Sequence, residues 1–263
     1  MAFNKQKAFG QNFLNDQAVI STIVERAIQA LQRFPEASLL EIGPGKGALT
    51  LELLKHVLPS TRYYVAERDR DLVSEWKREP RLAGVIEGDF VQTAESTMQQ
   101  TGKTVVVSNL PYSAGTAIVV LLSEMKSQVE EMILMFQSEV AKRIYSGPST
   151  PDRGSLSLYI QNDWDIEKVL TVRPESFSPP PKVMSEVIRL VKRKAPWIAL
   201  NSPEDRAAWN DLLKTAFRQR RKMLKGNFKA TAWENAFLKS EIDPTKRAES
   251  LEWSDWVKLW KSR

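Results

Sequence analysis

At 263 residues the sequence is long enough to bury a sizeable core in one large domain with a small appendage. It contains no cysteine, which excludes disulfides, thiol nucleophiles, thiolate zinc sites and cysteine-held iron–sulfur clusters. Its 38 Lys and Arg against 32 Asp and Glu give a formal net charge of +6, and residues 192–229 alone hold eleven basic and three acidic side chains, so any polyanionic partner is expected at one segment and not over the whole surface.

The first stretch, MAFNKQKAFGQNFLND, holds no apolar run of signal-peptide length, and no run of about 18 apolar residues occurs anywhere in the chain. The expectation is a soluble, unexported, cytoplasmic protein with no membrane contact. Helical periodicity at 17–31, 47–57, 70–77, 115–125 and 138–145 alternates with β-rich runs at 38–42, 62–66, 84–87, 104–108 and 130–136, a pattern that predicts an α/β sheet with crossover helices. An exposed loop follows in SGPSTPDRG (146–154), then a helix near 155–162. Two strands come next, DIEKVLTV and SEVIRLVK, joined by RPESFSPPPKVM, and they predict an antiparallel hairpin at one sheet edge. From Pro203 the pattern is helical and rich in Trp and Lys, which places a boundary near residue 195 between a domain of residues 1–195 and a helical one of 196–263.

The segment LLEIGPGKGALTLELL (39–54) runs from a strand through Gly43, Gly45 and Gly47 into a helix, so backbone without side chains can approach a ligand at the sheet's carboxyl edge. The same residues with Ala48 satisfy the dinucleotide fingerprint G-x-G-x-x-A, so a nicotinamide or flavin site and a plain strand-to-helix turn both remain open at this point. Glu67, at the end of the second strand, is placed to take ribose hydroxyls, and Asp89, after the third, to accept from an adenine amino group. Adenosine is common to NAD and S-adenosylmethionine, so neither carboxylate separates them.

The stretch VVVSNLPYSAG (105–115) does separate them. The 6-amino group of adenine is a poor nucleophile because its lone pair is delocalised into the ring. A side-chain amide oxygen from Asn109 and the backbone carbonyl of Leu110, both accepting from the amino hydrogens, favour a more tetrahedral nitrogen and stabilise the positive charge that develops during methyl transfer. Pro111 fixes the local backbone, and Tyr112 offers a ring on which an unstacked base can lie.

FGQNFLND (9–16), EIGPGKGALT (41–50), ERD (67–69), GDF (88–90), NLPY (109–112), FSPPPKV (177–183) and FRQRRKML (217–224) occur in this order, and with them the sequence resembles the ribosomal RNA adenine dimethyltransferases of the KsgA type, over nearly its whole length. The resemblance implies a Rossmann-like class I methyltransferase sheet with a small C-terminal all-helical domain, and S-adenosyl-L-methionine as cofactor. It implies that Asn12 and Leu14 hold the methionine part of the cofactor, with Gly43 and Gly45 beside it, Glu67 on the ribose and Asp89 on the adenine. Asn109, Leu110 and Tyr112 would grip the target base, and Phe177 would close over its other face. The implied reaction dimethylates two adjacent adenosines near the 3′ end of small-subunit rRNA in an immature small ribosomal subunit, with a monomeric enzyme. Ala114, Gly115 and Arg68 depart from the family pattern, which has bulkier or hydroxyl side chains at the first two and an apolar one at the third.

Arg218, Arg220, Arg221 and Lys222 are the candidate RNA contacts, against the alternative of a solvated helix face; Lys5, Lys7 and Arg143 are further phosphate candidates. His56 reads as a capping or surface residue, and the tryptophans of WENAFLKSEI and LEWSDWVKLW as core-facing stripes. Three rival functions fit less well: FRQRRKML argues against a large-subunit rRNA adenine methyltransferase of the antibiotic-resistance type, the intact Asn109 to Tyr112 motif argues against a non-catalytic ribosome-assembly or transcription factor on the same fold, and a nicotinamide oxidoreductase leaves NLPY unexplained.

Overall fold

Short apolar strands alternating with amphipathic helices build the first part of a computed structural model that describes residues 12–263. Lys5, Lys7 and the first three residues of FGQNFLND lie outside the described residues. The chain divides into two units, one running to Ala141 and resuming over Glu167–Val191, the other comprising Lys142–Ile166 and Lys192–Arg263. This differs from a single cut near 195, since residues 142–166 join the C-terminal unit.

In chain order the first stretch contains β1 (Phe13–Leu14), α1 (Gln17–Arg33), β2 (Ser38–Ile42), α2 (Thr50–His56), β3 (Tyr63–Glu67), α3 (Arg70–Trp76), β4 (Gly84–Glu87), α4 (Phe90–Thr101), β5 (Thr104–Asn109), α5 (Gly115–Glu124) and β6 (Val129–Gln137). Then come α6 (Ser138–Tyr145), α7 (Ser155–Gln161), β7 (Trp164–Val172), β8 (Phe177–Ser178) and β9 (Ser185–Lys192). The seven-stranded sheet has the order β4-β3-β2-β5-β6-β9-β7. Strands β2 to β6 pair in parallel, and β9 runs antiparallel to β6. The central strands read as continuous apolar runs because helices cover both faces of a parallel sheet. On α1, Ile20, Ile23, Val24, Ala27, Ala30 and Leu31 recur at three- and four-residue spacing and pack in the core with Leu39, Val105 and Ile133.

Two elements escape the sequence pattern. α4 carries only Phe90, Ala94 and Met98 as an apolar stripe among Thr, Ser and Gln; what starts it is Asp89, whose side chain accepts from the Val91 N–H at 3.0 Å. The β1–β8 ladder pairs only Phe13 with Ser178 and Leu14 with Phe177. Asp16 fastens it: one carboxylate oxygen caps α1 and the other accepts from the Ser176 hydroxyl at 2.8 Å. That hydroxyl, more than the cap, holds Asp16 below the usual carboxylate range.

The second unit continues with α8 (Pro203–Ala216), α9 (Leu224–Phe228), α10 (Glu234–Lys239) and α11 (Trp253–Lys261). Its core is Trp209, Leu212, Phe228, Phe237, Trp256 and Trp260, with Trp209 meeting Trp256 and Trp260 edge-on at 6.0 and 5.8 Å. Leu158 of α7 belongs to this core, which is the physical reason that residues 142–166 fall in the second unit. The tryptophans of the two late stripes point inward, as expected, while His56 ends α2 on the surface beside Glu52.

Asn227 organises the turn after α8. Its buried amide donates to the Ala216 carbonyl at 2.7 Å, a helix-end acceptor of α8, and to the Gln219 carbonyl at 3.2 Å, which it shares with the Lys222 N–H. Asn227→Ala is expected to destabilise the protein by about 1–3 kcal/mol, the cost of leaving the buried Ala216 carbonyl unpaired. A lowered urea midpoint of the C-terminal unit's tryptophan fluorescence checks it, and an unchanged midpoint rules it out.

Candidate active site

At the middle of the sheet β2 and β5 are neighbours, and the chain runs outward from them to β3 and β4 on one side and to β6 on the other. Open α/β sheets leave a crevice beyond the carboxyl ends of such strands. Here that crevice is a cavity of about 720 Å³, lined by the residues that follow β2, β3, β4 and β5 together with Asn12, Phe13 and Leu14.

Gly43, Gly45 and Gly47 have φ of 67°, 55° and 87°, left-handed backbone that a Cβ disfavours. At Gly47 a Cβ would stand 2.5 Å from the Trp76 ring, and Trp76 Nε1–H donates to the Gly45 carbonyl at 3.1 Å, so α3 pins the loop from above. Glu67 braces it from β3. Its Oε2 accepts from the Gly45 N–H at 3.1 Å, and its Oε1 accepts from the N–H groups of Arg68 at 2.7 Å and Asp69 at 2.9 Å. A carboxylate has about four lone-pair sites, so one, on Oε2, is left to receive a ligand hydroxyl.

Asp89 Oδ1 is engaged in capping α4, and Oδ2 lies 3.7 Å from Arg68 Nη1. Asn109 ends β5, and its side chain makes no hydrogen bond among the described residues. The Leu110 N–H donates to the Met135 carbonyl at 3.3 Å, and the Tyr112 hydroxyl lies 2.9 Å from Ser185 Oγ, which fixes the ring at the cavity rim. Gly115 has a packing reason for departing from the family pattern: a Cβ there would come within 3.2 Å of the Phe136 ring.

Nine of the ten residues expected around cofactor and base line this one cavity: Asn12, Leu14, Gly43, Gly45, Glu67, Asp89, Asn109, Leu110 and Tyr112. Phe177 does not. It is 3 % exposed in β8, opposite Leu14, and packs into the core of the sheet. In the second unit the four basic candidates are all exposed, but they are not equivalent. Arg218 Nη2 donates to the Asn227 carbonyl at 3.2 Å, and Arg220 Nη2 donates to the carbonyls of Arg153, at 2.9 Å, and Pro151.

A sequence profile described as Ribosomal RNA adenine dimethylase matches residues 2–262. The chain belongs to this family. It is 37% identical to the Ribosomal RNA small subunit methyltransferase A of Dechloromonas aromatica, over 97% of this chain and 96% of that protein. The protein of the same name from Methylibium petroleiphilum is 38% identical, over 97% of this chain and 94% of its own. In fold it is similar to a dimethyladenosine transferase from Plasmodium falciparum, with a TM-score of 0.70 at 23% identity over 94% of this chain and 95% of that one. The 23S rRNA methyltransferase ErmE has a TM-score of 0.65 at 22% identity, over 95% of this chain and 99% of its own. The sheet is thus that of the Rossmann-like rRNA adenine methyltransferases.

Among the cavity residues to which the sequence pattern assigned no role, Glu41 is the one buried carboxylate held by two hydroxyls. Glu41 is buried at the end of β2 and lines the cavity; its Oε2 accepts from the Tyr63 hydroxyl at 2.5 Å and from Thr50 Oγ1 at 2.7 Å. A lone carboxylate inside the apolar run SLLEI was the signal for it. Burial pushes the Glu41 carboxyl up to about 7, against the two hydrogen bonds that favour the charged form and with help from the nearby Glu67. In the unfolded chain this group ionises near 4.5, so the folded protein holds a proton that the unfolded chain has lost between those values. Its contribution to stability is complete below about pH 4.5 and is lost as the pH rises through about 7. Glu41→Gln keeps the acceptor oxygen and removes the titration, so it is expected to gain about 3 kcal/mol over the unmodified protein between about pH 5 and pH 8. Urea titrations at the two pH values measure this, and parallel losses in both proteins place the titration elsewhere.

Proposed function

We propose that this chain binds S-adenosylmethionine in the cavity beyond β2 to β5 and transfers methyl groups from it to the 6-amino groups of two adjacent adenosines near the 3′ end of small-subunit ribosomal RNA. The observation that carries the reading is the meeting of two sets of residues in one cavity: the Gly43 to Gly47 loop with Glu67 and Asp89, and the Asn109 to Tyr112 segment at the end of β5. The cavity fits a nucleoside cofactor on three counts. Glycine backbone is held bare against it by Trp76, the free Oε2 site of Glu67 faces a hydroxyl, and Asp89 offers an acceptor one strand further out. Bound there, the cofactor supplies a methyl group on a sulfonium that leaves readily.

The chain's own residues then act on the base. Asn109 Oδ1 and the Leu110 carbonyl accept the two amino hydrogens, drawing the nitrogen lone pair out of conjugation and toward the methyl carbon. The Tyr112 ring, fixed through Ser185, carries the unstacked adenine. Asn12 and Leu14 hold the far end of the cofactor. Phe177, buried in β8, pairs with Leu14 in the β1–β8 ladder and holds that cavity residue in place. Arg221 and Lys222, which make no ion pair or side-chain hydrogen bond among the described residues, lead the grip on the RNA backbone, with Arg218 and Arg220 behind them. An adenine pocket carries too little information to select one site in a ribosomal RNA, so selection falls to shaped RNA in an immature subunit, met by a monomeric enzyme in the cytoplasm. The relatives at 37–38% identity, both named for the small subunit, support this over a large-subunit target. No helix of the described residues is long and apolar enough to cross a membrane.

Asn109→Ala is expected to leave cofactor affinity nearly intact while slowing single-turnover methylation by about 100-fold or more, and Asp89→Ala to weaken cofactor binding by about 1–3 kcal/mol. Calorimetry and rapid-quench methylation separate the two. Wild-type turnover in the first variant removes the segment from the target base.

Arg221→Ala with Lys222→Ala is expected to reduce the slope of log affinity for RNA against log salt by about 2, the share of two phosphate contacts, without changing cofactor affinity. Methylation of an immature small subunit is expected to exceed that of an isolated hairpin at equal concentration, and equal rates refute the selection argument.

A further inference from the structure

Arg153 is completely buried in the second unit, and its Nε, Nη1 and Nη2 have no hydrogen-bond partner among the described residues. A guanidinium keeps its proton in proteins and carries five N–H donors, so a buried one without hydrogen-bond partners has lost its hydration with no hydrogen bond in return. Burial pulls Arg153 down to about 10, opposed by the charge of Glu252, which leaves it cationic at neutral pH.

The loop 146–154 carries this residue, and its hold on the unit is light. The Ser149 N–H donates to the Glu249 carbonyl at 2.8 Å, from a φ of 62° that serine adopts only at a cost. Thr150 Oγ1 bonds only within the loop, to the Gly147 carbonyl. Gln161 Nε2 holds the Ser146 carbonyl at 3.0 Å, but a Cβ at Gly147 would touch nothing within 4 Å, so the loop has open space beside it just after that anchor. The other end is firm, because Ser157 Oγ accepts from the Gly154 N–H at 3.0 Å and donates to the Arg143 carbonyl at 2.6 Å. Between them lies the clasp: Arg220 Nη2 donates to the carbonyls of Pro151 and Arg153.

Arg220 belongs to the same exposed turn as Arg221 and Lys222. An RNA backbone that meets this turn offers phosphate oxygens, which accept from a guanidinium more strongly than neutral carbonyls do. We infer that Arg153 is an RNA-phosphate ligand held in reserve beneath the 146–154 loop, and that the loop opens when RNA phosphate draws Arg220 off the carbonyls of residues 151 and 153. Opening turns an unpaired buried cation into a paired one beside a second arginine. The fork of a guanidinium matches phosphate geometry, so the two side chains can clamp successive phosphates. The inference rests on the proposed RNA reading and adds to it a ligand and an order of events.

The test uses the full chain and a transcript of the 3′-terminal region of small-subunit rRNA. Arg153→Met keeps the length and apolar stem of the side chain and removes the charge. It is expected to raise the melting temperature of the free protein and, at the same time, to reduce the slope of log affinity against log salt by about 0.9, one phosphate contact. Arg153→Lys is expected to keep the wild-type slope. In the unmodified protein, hydrogen exchange at the Ser149 amide is expected to quicken when the transcript is added, the reverse of an ordinary footprint. A wild-type slope in Arg153→Met, or slower or unaltered exchange at Ser149, overturns the inference while leaving the RNA reading intact. If Arg153→Met does not fold, the exchange measurement decides alone. Absence of any transcript binding by the unmodified protein overturns the RNA reading and this inference with it.

Discussion

The carboxylate of Glu67 closes a ring of constraints on which the cavity's shape depends. β2 and β3 run in register, Ile42 beside Ala66, and the Gly43 N–H donates to the Ala66 carbonyl at 2.8 Å, which brings the glycine loop alongside Glu67. Glu67 then fixes the N–H groups of Gly45, Arg68 and Asp69. Asp69 in turn caps α3 through the Asp71 N–H at 2.9 Å, and the far end of α3 delivers Trp76 back onto Gly45 and Gly47. Each member is held by the one before it. Loosening Glu67 would free three backbone donors and the start of α3 together, so the loop and the helix over it move as one body or not at all.

Four carboxylates border the cavity, Glu41, Glu52, Glu67 and Asp89, and each is controlled by different means, Glu52 by its pairing with Lys55 and His56 on α2. Glu41 is buried against hydroxyl donors and sits near neutrality. Glu67 is surrounded by backbone N–H groups, and Asp89 divides itself between a helix cap and Arg68. The lining also carries Lys46 and Arg68, but the acids outnumber these two cations, which favours a cationic ligand over a neutral one. Methyl transfer from a sulfonium discharges the cation, so the same carboxylates that favour the substrate form of such a cofactor give less to what remains. Arg68 moderates this beside Asp89, which gives the departure from an apolar residue a physical consequence: it offsets one acid of the four.

Much of this was legible in the sequence because strand ends in a parallel sheet are marked by chemistry that strands do not need. Gly43 to Gly47, Glu67, Asp89 and Asn109 each interrupt or follow an apolar run, and the parallel order of β2 to β5 brings their ends to one edge. What the pattern hid had no periodic signal. α4 is specified by its cap more than by its stripe, the β1–β8 ladder is two residues long, and Trp76 reaches the glycine loop from a helix whose apolar spacing says only that one face is buried. The placement of residues 142–166 was hidden for a different reason. Leu158 looks like any helical core residue, and nothing in sequence states whose core it enters.

Charge counting in the second unit shows a further limit of sequence reading. The segment 192–229 holds eleven basic side chains, yet a cation serves a polyanion only if its donors are not already committed. Arg193 pairs with Asp165, Arg218 closes a helix end, and Arg220 clasps a loop, while Arg221 and Lys222 extend from a turn that the buried Asn227 amide holds in place. The turn is therefore rigid where its cations are displayed and dependent on backbone carbonyls where they are not. On the proposed RNA reading, that division separates the side chains that would meet an anion first from those that would have to be drawn away from neutral acceptors, so the local charge excess would be engaged in stages and not all at once.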